Sequence, residues 1–438
     1  MGKVLLLLLL FGNGVATFAY PWIGVASGYV ISVFGPQFVW PWVFAGTRPF
    51  LWVFVPTVLS WAFGCVSGKL KLESLKSRIS LFYLIWWLAT TNSFLFGPYI
   101  GVASDGGQLF DPKSVLISMT IQFGFMFIGM NCLTTAKQLR YLVSVVLYTT
   151  LYMTYWGNDQ YLSGLMINRL SGPFDPVGGG ALYLDSNTFA MLFVLGAPFV
   201  YYCGLYFRNW IIRYGLWLTI PLAWHAIFLT SSRGALLGVA VTLAIVTVRS
   251  RRVGVGLLIL LLFGGAYYWQ AGGQMKERAA GIDSYEEDRS ASSRLEAWEA
   301  AITMTLRQPI SGVGVAAFIP AFSSHSDYQP RATHNTYFEI YAESGIFAGT
   351  AWLLVIASIV TACLRTSRLT RRAPIEDDDA RFLFLLSEAM LAAILGFFTC
   401  ATFLSLKGYE VFFLLGLIAH VMDRCSRAYV PDKKVDAR

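Results

Sequence analysis

Residues 382–404 read FLFLLSEAMLAAILGFFTCATFL, an unbroken apolar run whose one charge is Glu388. A helix needs about 20 such residues to cross roughly 30 Å of hydrocarbon at about 1.5 Å per residue. It also satisfies its backbone polar groups internally, which lipid demands. Working outward, comparable runs predict about twelve spans, over 4–33, 48–66, 79–96, 114–131, 141–156, 181–207, 211–230, 234–248, 253–271, 335–363, 382–404 and 408–423. The first, sixth and tenth are long enough to tilt or break. The fifth is short, which leaves eleven or thirteen open.

Composition agrees. Charged residues are 13% and hydrophobic residues 56% of the 438, with mean hydropathy +0.57. An ordinary soluble domain carries about 25% charge, so most of this surface must face a lipid bilayer. Soluble, disordered, collagen-like and nucleic-acid-binding classes are excluded. The 33 Phe, 22 Tyr and 14 Trp supply interfacial rings.

The net charge of +8 follows from orientation. With the N-terminus inside, the inside segments hold Lys3, the Lys69–Arg78 group, Lys137 and Arg140, Arg208 and Arg213, Arg249 to Arg252, Arg365 to Arg381, and Arg424 to Arg438. The short outside loops hold only Arg48, Lys113, Arg169, Arg233 and Lys407. This alternation fits the positive-inside rule and places both termini in the cytoplasm. Lys3, Leu5 to Leu10 and Thr17-Phe18-Ala19 mimic a signal peptide, but apolar character continues through Val33, which favours an uncleaved first helix. Cys65, Cys132, Cys203, Cys363 and Cys425 fall at cytoplasmic ends, Cys400 leans outward, and no spacing suggests a disulfide or zinc framework.

The chain therefore divides into 1–271 with helices one to nine, a hydrophilic external loop at 272–334, 335–424 with helices ten to twelve, and a tail at 425–438. Inside the loop, 292–304 predicts a surface-lying amphipathic helix. Its apolar face is Leu295, Trp298, Ile302 and Leu306, its cap is Ser292 or Ser293, and Pro309 ends it. Gly312-Val313-Gly314 then turns the chain. A second external segment, about 157–180, holds Asp159, Arg169, Asp175 and Gly178-Gly179-Gly180.

Ionisable groups at a bilayer are expensive and tend to be functional. Arg233, after Thr230-Ser231-Ser232, is either an anion-binding guanidinium or a snorkelling boundary residue; its planar fork suits phosphate. Arg294 is either a second such group or a solvated charge beside Glu296. His334 and Asn335 sit where the loop re-enters the membrane, and a histidine there can trade a proton near neutral pH or serve structurally. Asp185 and Asn187 can position a hydroxyl or an arginine, or cap a helix. His225, His325 and His420 read as structural, and Glu388 as paired within the bundle. Asp377-Asp378-Asp379 and Glu286-Glu287-Asp288 read as solvated charge runs rather than metal motifs. No metal, nucleotide or flavin motif is present, so no cofactor is expected.

In order, Thr230-Ser231-Ser232-Arg233-Gly234-Ala235, Arg294-Leu295-Glu296-Ala297-Trp298, Gln308-Pro309-Ile310-Ser311-Gly312-Val313-Gly314, Thr333-His334-Asn335-Thr336-Tyr337 and Glu343-Ser344-Gly345 resemble the bacterial O-antigen ligase and polymerase superfamily. The motif-bearing stretch runs from about 225 to 350. The resemblance implies an all-α polytopic membrane glycosyltransferase of GT-C-like type, with about twelve transmembrane helices and one large periplasmic helical loop. It implies an inner-membrane enzyme with a periplasmic active site. The donor would be an undecaprenyl diphosphate-linked glycan. The acceptor would be lipid A–core oligosaccharide in the ligase branch, a growing glycan in the polymerase branch or a protein hydroxyl in the protein O-glycosylation branch. Arg233 and Arg294 resemble the diphosphate-binding arginines, and His334 the essential loop histidine; Asn335, Arg169, Asp185 and Asn187 are the further candidate substrate contacts. A lipid-linked glycan flippase is the reading from another class. Transporters usually show related halves, whereas here the distinctive residues gather at one face.

Overall fold

In the computed structural model the chain forms a packed helical bundle. The structure describes residues 2–44, 49–102, 111–166, 169–175, 180–181, 183, 185–251, 253–270, 289–374 and 376–430. Arg48, Arg252, Gly178-Gly179, loop residues 272–288 with Glu286-Glu287-Asp288, and Lys433, Lys434 and Arg438 lie outside the described residues.

The helices are α1 Gly2–Ala19, α2 Pro21–Tyr29, α3 Pro36–Val39, α4 Pro41–Phe44, α5 Pro49–Val66, α6 Arg78–Phe96, α7 Pro112–Cys132, α8 Ala136–Leu162, α9 Ser186–Tyr206, α10 Trp210–Thr230, α11 Arg233–Ser250, α12 Val253–Gln270, α13 Arg289–Arg307, α14 Phe318–Phe322, α15 Thr336–Thr370, α16 Asp378–Ala401 and α17 Glu410–Ser426. A two-residue antiparallel pairing, Phe174–Asp175 with Gly180–Ala181, is the one sheet among the described residues. Eight helices there are long and apolar enough to cross a membrane: α5, α6, α7, α9, α10, α11, α15 and α16. Leu8–Ala19, Pro21–Phe34 and Gly256–Gln270 are shorter apolar helices. The chain is an all-α polytopic membrane protein.

Ten of the predicted spans correspond to single helices, and the tenth, 335–363, is kinked at Gly345 as its length allowed. The short fifth is a full 27-residue helix, α8, started by a capping box in which Thr135 and Gln138 satisfy each other's exposed amides. The predicted span 4–33 breaks in two. Pro21, well placed to open a helix, starts α2, and the chain reverses at Tyr20. Asn13 Nδ2 then donates to Ser27 Oγ at 2.5 Å. Helix α1 runs beside α5 in the same sense, with Pro56 facing Gly14 and Ser60 Oγ donating to Phe18 O at 3.3 Å. Gly2 therefore lies at the same end of the bundle as Pro49. One uninterrupted span would have put them at opposite ends.

The centre is built on α9, α15, α16 and α17. Phe412 stacks on Phe397 at 5.0 Å between ring centroids, Phe413 stacks on Trp86 at 5.6 Å, and Tyr83 Oη donates to Phe412 O at 2.9 Å. The charge of Glu388 is paired as expected: Arg249 Nε donates to Glu388 Oε2 at 2.7 Å and Ser367 Oγ to Oε1 at 2.6 Å. Asp377 caps α16, while Asp378 and Asp379 receive Arg140 Nη2 at 2.9 and 2.6 Å. That run is thus a cap and an ion pair rather than a merely solvated charge run. All six cysteines are free thiols.

The external loop departs from its predicted packing. Helix α13 begins at Arg289, so Ser292 and Ser293 lie in its first turns rather than at its cap. Its buried face is Ala297, Ala300, Ala301 and Met304, whereas Leu295, Ile302 and Leu306 are exposed. Small side chains win the inner face because they let α13 approach α14 and α15 closely, against Val313, Phe318 and Phe322.

Candidate active site at the motif end of the bundle

The 309–314 turn and the start of α15 interlock through backbone. Ile346 N donates to Pro309 O at 2.8 Å, Val313 N to Ala342 O at 2.8 Å and Gly314 N to Glu343 O at 3.0 Å. Gly345 breaks the helix with φ 78°, and a Cβ there would lie 2.5 Å from Ile310 O. At Gly312, φ 65°, a Cβ would lie 2.2 Å from Glu343 O. Only glycine meets both the left-handed backbone and the close approach. The Gln308–Gly314 and Glu343–Gly345 motifs are therefore two halves of one joint.

That joint fixes the segment before α15. Thr333 O accepts from Trp298 Nε1 at 3.1 Å, tying α13 to the re-entry point. His334 has φ 44°, a left-handed conformation that costs a non-glycine residue energy and is typical of functional positions. The residue reaches the surface, with its imidazole partly screened from solvent. Asn335 is buried; its Oδ1 accepts from Phe338 N at 3.1 Å and caps α15. This cap fixes the helix entrance directly after His334.

Arg233 is the first residue of α11, after the Ser232 cap, and is exposed. The helix dipole adds positive potential at this point. Gly234 packs against Phe403, whose Cβ lies 3.1 Å from where a Gly234 Cβ would sit. Arg294 is half-buried, with its guanidinium carbon 6.0 Å from the Phe403 ring centroid. Glu296, expected beside it, pairs instead with Arg331 at 2.7 Å. Phe403 is thus a shared support for the Arg233–Gly234 corner and for Arg294.

Electrostatics link His334 to the same place. Partial burial and the Arg294 charge push its pKa below the ordinary 6.5, against opposing pulls from Asp185 and Glu339. The neutral imidazole is favoured, with a free lone pair.

Asp185 caps α9, accepting from Thr188 N at 2.9 Å and Oγ1 at 3.0 Å. Its Oδ1 receives Asn187 Nδ2 at 3.1 Å, and Asn187 Oδ1 receives Arg169 Nη2 at 3.1 Å. Arg169 Nε donates to Thr230 O at 2.7 Å. This chain braces the C-terminus of α10 just before Arg233. Capping and arginine positioning, alternatives in the sequence, are both realised. His225 sits on Asn158, His325 on Ala321 O and His420 on Ser77, each through Nδ1.

One buried ion-pair cluster escaped the sequence reading. Lys407 Nζ contacts Glu339 Oε1 at 2.9 Å and Glu343 Oε2, and all three are largely buried. Burial opposes the Lys407 charge, but the two carboxylates outweigh it and raise its pKa. Glu339 and Glu343, four apart on one helix face, opposite a lone lysine in an otherwise uncharged hairpin, were the available signal. No group of three His, Cys, Asp or Glu side chains among the described residues is arranged to hold a metal ion.

Residues 218–353 match the protein family described as O-Antigen ligase. The matched stretch contains Arg233, Arg294, His334 and Asn335. A search of curated proteins finds no match to the chain.

Proposed function

We propose, on the match of residues 218–353 to the O-Antigen ligase family, that the chain transfers a glycan from undecaprenyl diphosphate to an acceptor hydroxyl at the periplasmic face of the inner membrane. The ligase reaction, with lipid A–core oligosaccharide as acceptor, is the leading form. The observation that supports this reading is that Phe403 contacts both Arg294 and Gly234, the residue next to Arg233, with His334 in electrostatic reach of Arg294.

The donor carries a polyprenyl tail, so it enters from lipid with its diphosphate at headgroup depth. The exposed Leu295, Ile302 and Leu306 of α13 meet the same interface. Two guanidinium groups bind the diphosphate through charge-assisted hydrogen bonds. The acceptor oxygen attacks the anomeric carbon from the face opposite the diphosphate, and configuration inverts. The bond from the anomeric carbon to the phosphate oxygen breaks, and its electron pair leaves with the lipid diphosphate. Arg233, Arg294 and the α11 N-terminus stabilise that growing charge. The acceptor proton passes to the neutral imidazole of His334, a role worth about 10²–10⁴-fold in rate.

The test is incubation of purified protein with undecaprenyl diphosphate glycan and a panel of acceptors: lipid A–core, a second lipid-linked glycan, and pilin. Transfer to lipid A–core that is lost in His334→Ala, with that variant still in the membrane, is expected. Transfer only to glycan or only to pilin replaces the ligase assignment with the matching branch. Normal transfer by His334→Ala removes the base assignment.

A further inference from the structure

At the end of the bundle opposite His334, α5, α6, α15 and α17 line an open cleft of about 1550 Å³. Its rim carries six lysine and arginine side chains, among them Arg368 and Arg424, against two carboxylates, Glu73 and Asp423. Asp423 is already taken by Arg365 at 2.8 Å and Arg427 at 3.1 Å. The inner wall is apolar, with Trp61, Phe82 and Leu354.

The hydrogen bonding on this wall is incomplete. Arg424 donates from Nη1 to Met130 O at 3.3 Å, but its Nε and Nη2 are buried with no partner among the described residues. His420, 4% exposed, uses Nδ1 on Ser77 Oγ at 2.9 Å and also meets the Ser74 backbone. Buried polar groups left unpaired call for a partner. A guanidinium with two spare donors, in a positive rim, matches the oxygens of a phosphate. The apolar wall beneath it matches hydrocarbon chains.

We propose that this cleft is a binding site for a phosphate-bearing anionic membrane lipid, whose headgroup seats on Arg424 and the basic rim while its chains follow Trp61, Phe82 and Leu354. The site is separate from the donor site, because it opens at the other end of α15. Basic pockets between membrane helices recognise such headgroups by charge and geometry. The bound lipid brackets α6, α15 and α17 together at the end where the rim arginines otherwise repel one another.

The experiment uses the full-length protein in mild detergent, with native mass spectrometry and thermal unfolding in added phosphatidylglycerol, phosphatidylethanolamine or inorganic phosphate. Phosphatidylglycerol should stay bound and raise the unfolding temperature, while the other two do neither. Arg424→Gln should weaken retention by about fivefold, as expected for one interfacial cation. Arg368→Glu, at an exposed rim position, should weaken it further and decides the matter should Arg424→Gln fail to fold. Equal retention of phosphatidylethanolamine, the same stabilisation from inorganic phosphate alone, or wild-type retention by the folded variants overturns the proposal.

Discussion

The Arg294 guanidinium lies 6.0 Å from the centroid of the Phe403 ring, and the same side chain abuts Gly234 beside Arg233. Gly234 of α11 and Arg294 of α13 thus meet on a ring that belongs to neither helix, in the hairpin between α16 and α17. A guanidinium over an aromatic face gains electrostatic attraction without losing its hydrogen-bond donors. Phe403 orients Arg294.

Phe403→Ala should therefore slow transfer about tenfold to a hundredfold, the scale of small misplacements of catalytic groups. Phe403→Tyr should retain most of the rate. A single-turnover assay with lipid-linked glycan reads this directly, and an unchanged rate in Phe403→Ala removes the ring from the site.

The pH profile follows from His334. Its pKa lies below the ordinary 6.5, so the proton-accepting form dominates at neutral pH and activity falls only on acidification through that lowered value. Glu339 pulls the pKa upward. Glu339→Gln removes that pull, which lowers the pKa further and moves the acid limb to lower pH. Asp185→Asn moves it the same way. A limb that shifts toward neutrality in both variants contradicts the assignment of that limb to His334.

Gly345→Ala places a Cβ 2.5 Å from Ile310 O at φ 78°. Backbone strain of this kind costs about 1–3 kcal/mol. Transfer should fall together with the thermal unfolding temperature, because the 309–314 joint sets the approach to His334.

Lys407→Met strands two buried carboxylates, Glu339 and Glu343. Breaking a buried ion pair from one side costs about 3–5 kcal/mol, so yield and unfolding temperature in detergent should drop sharply. Adding Glu343→Gln should restore part of the loss. No restoration in the double variant argues against charge as the cause.

Much of this protein is written locally. Apolar length alone determined the helices, since lipid permits few other backbones, and alternating basic loops followed from the same runs. Arg233, Arg294 and His334 stand out because charge near hydrocarbon is costly. Long-range pairing was decided only by the tertiary structure. Pro21 turns an apolar run into a hairpin because Asn13 and Ser27 can meet, which hydropathy does not register. Alanines rather than leucines occupy the inner face of α13 because close approach, not hydrophobicity, selects them. Phe403 and Lys407 acquire their roles from neighbours far along the chain, and a linear pattern holds no record of which neighbours those are.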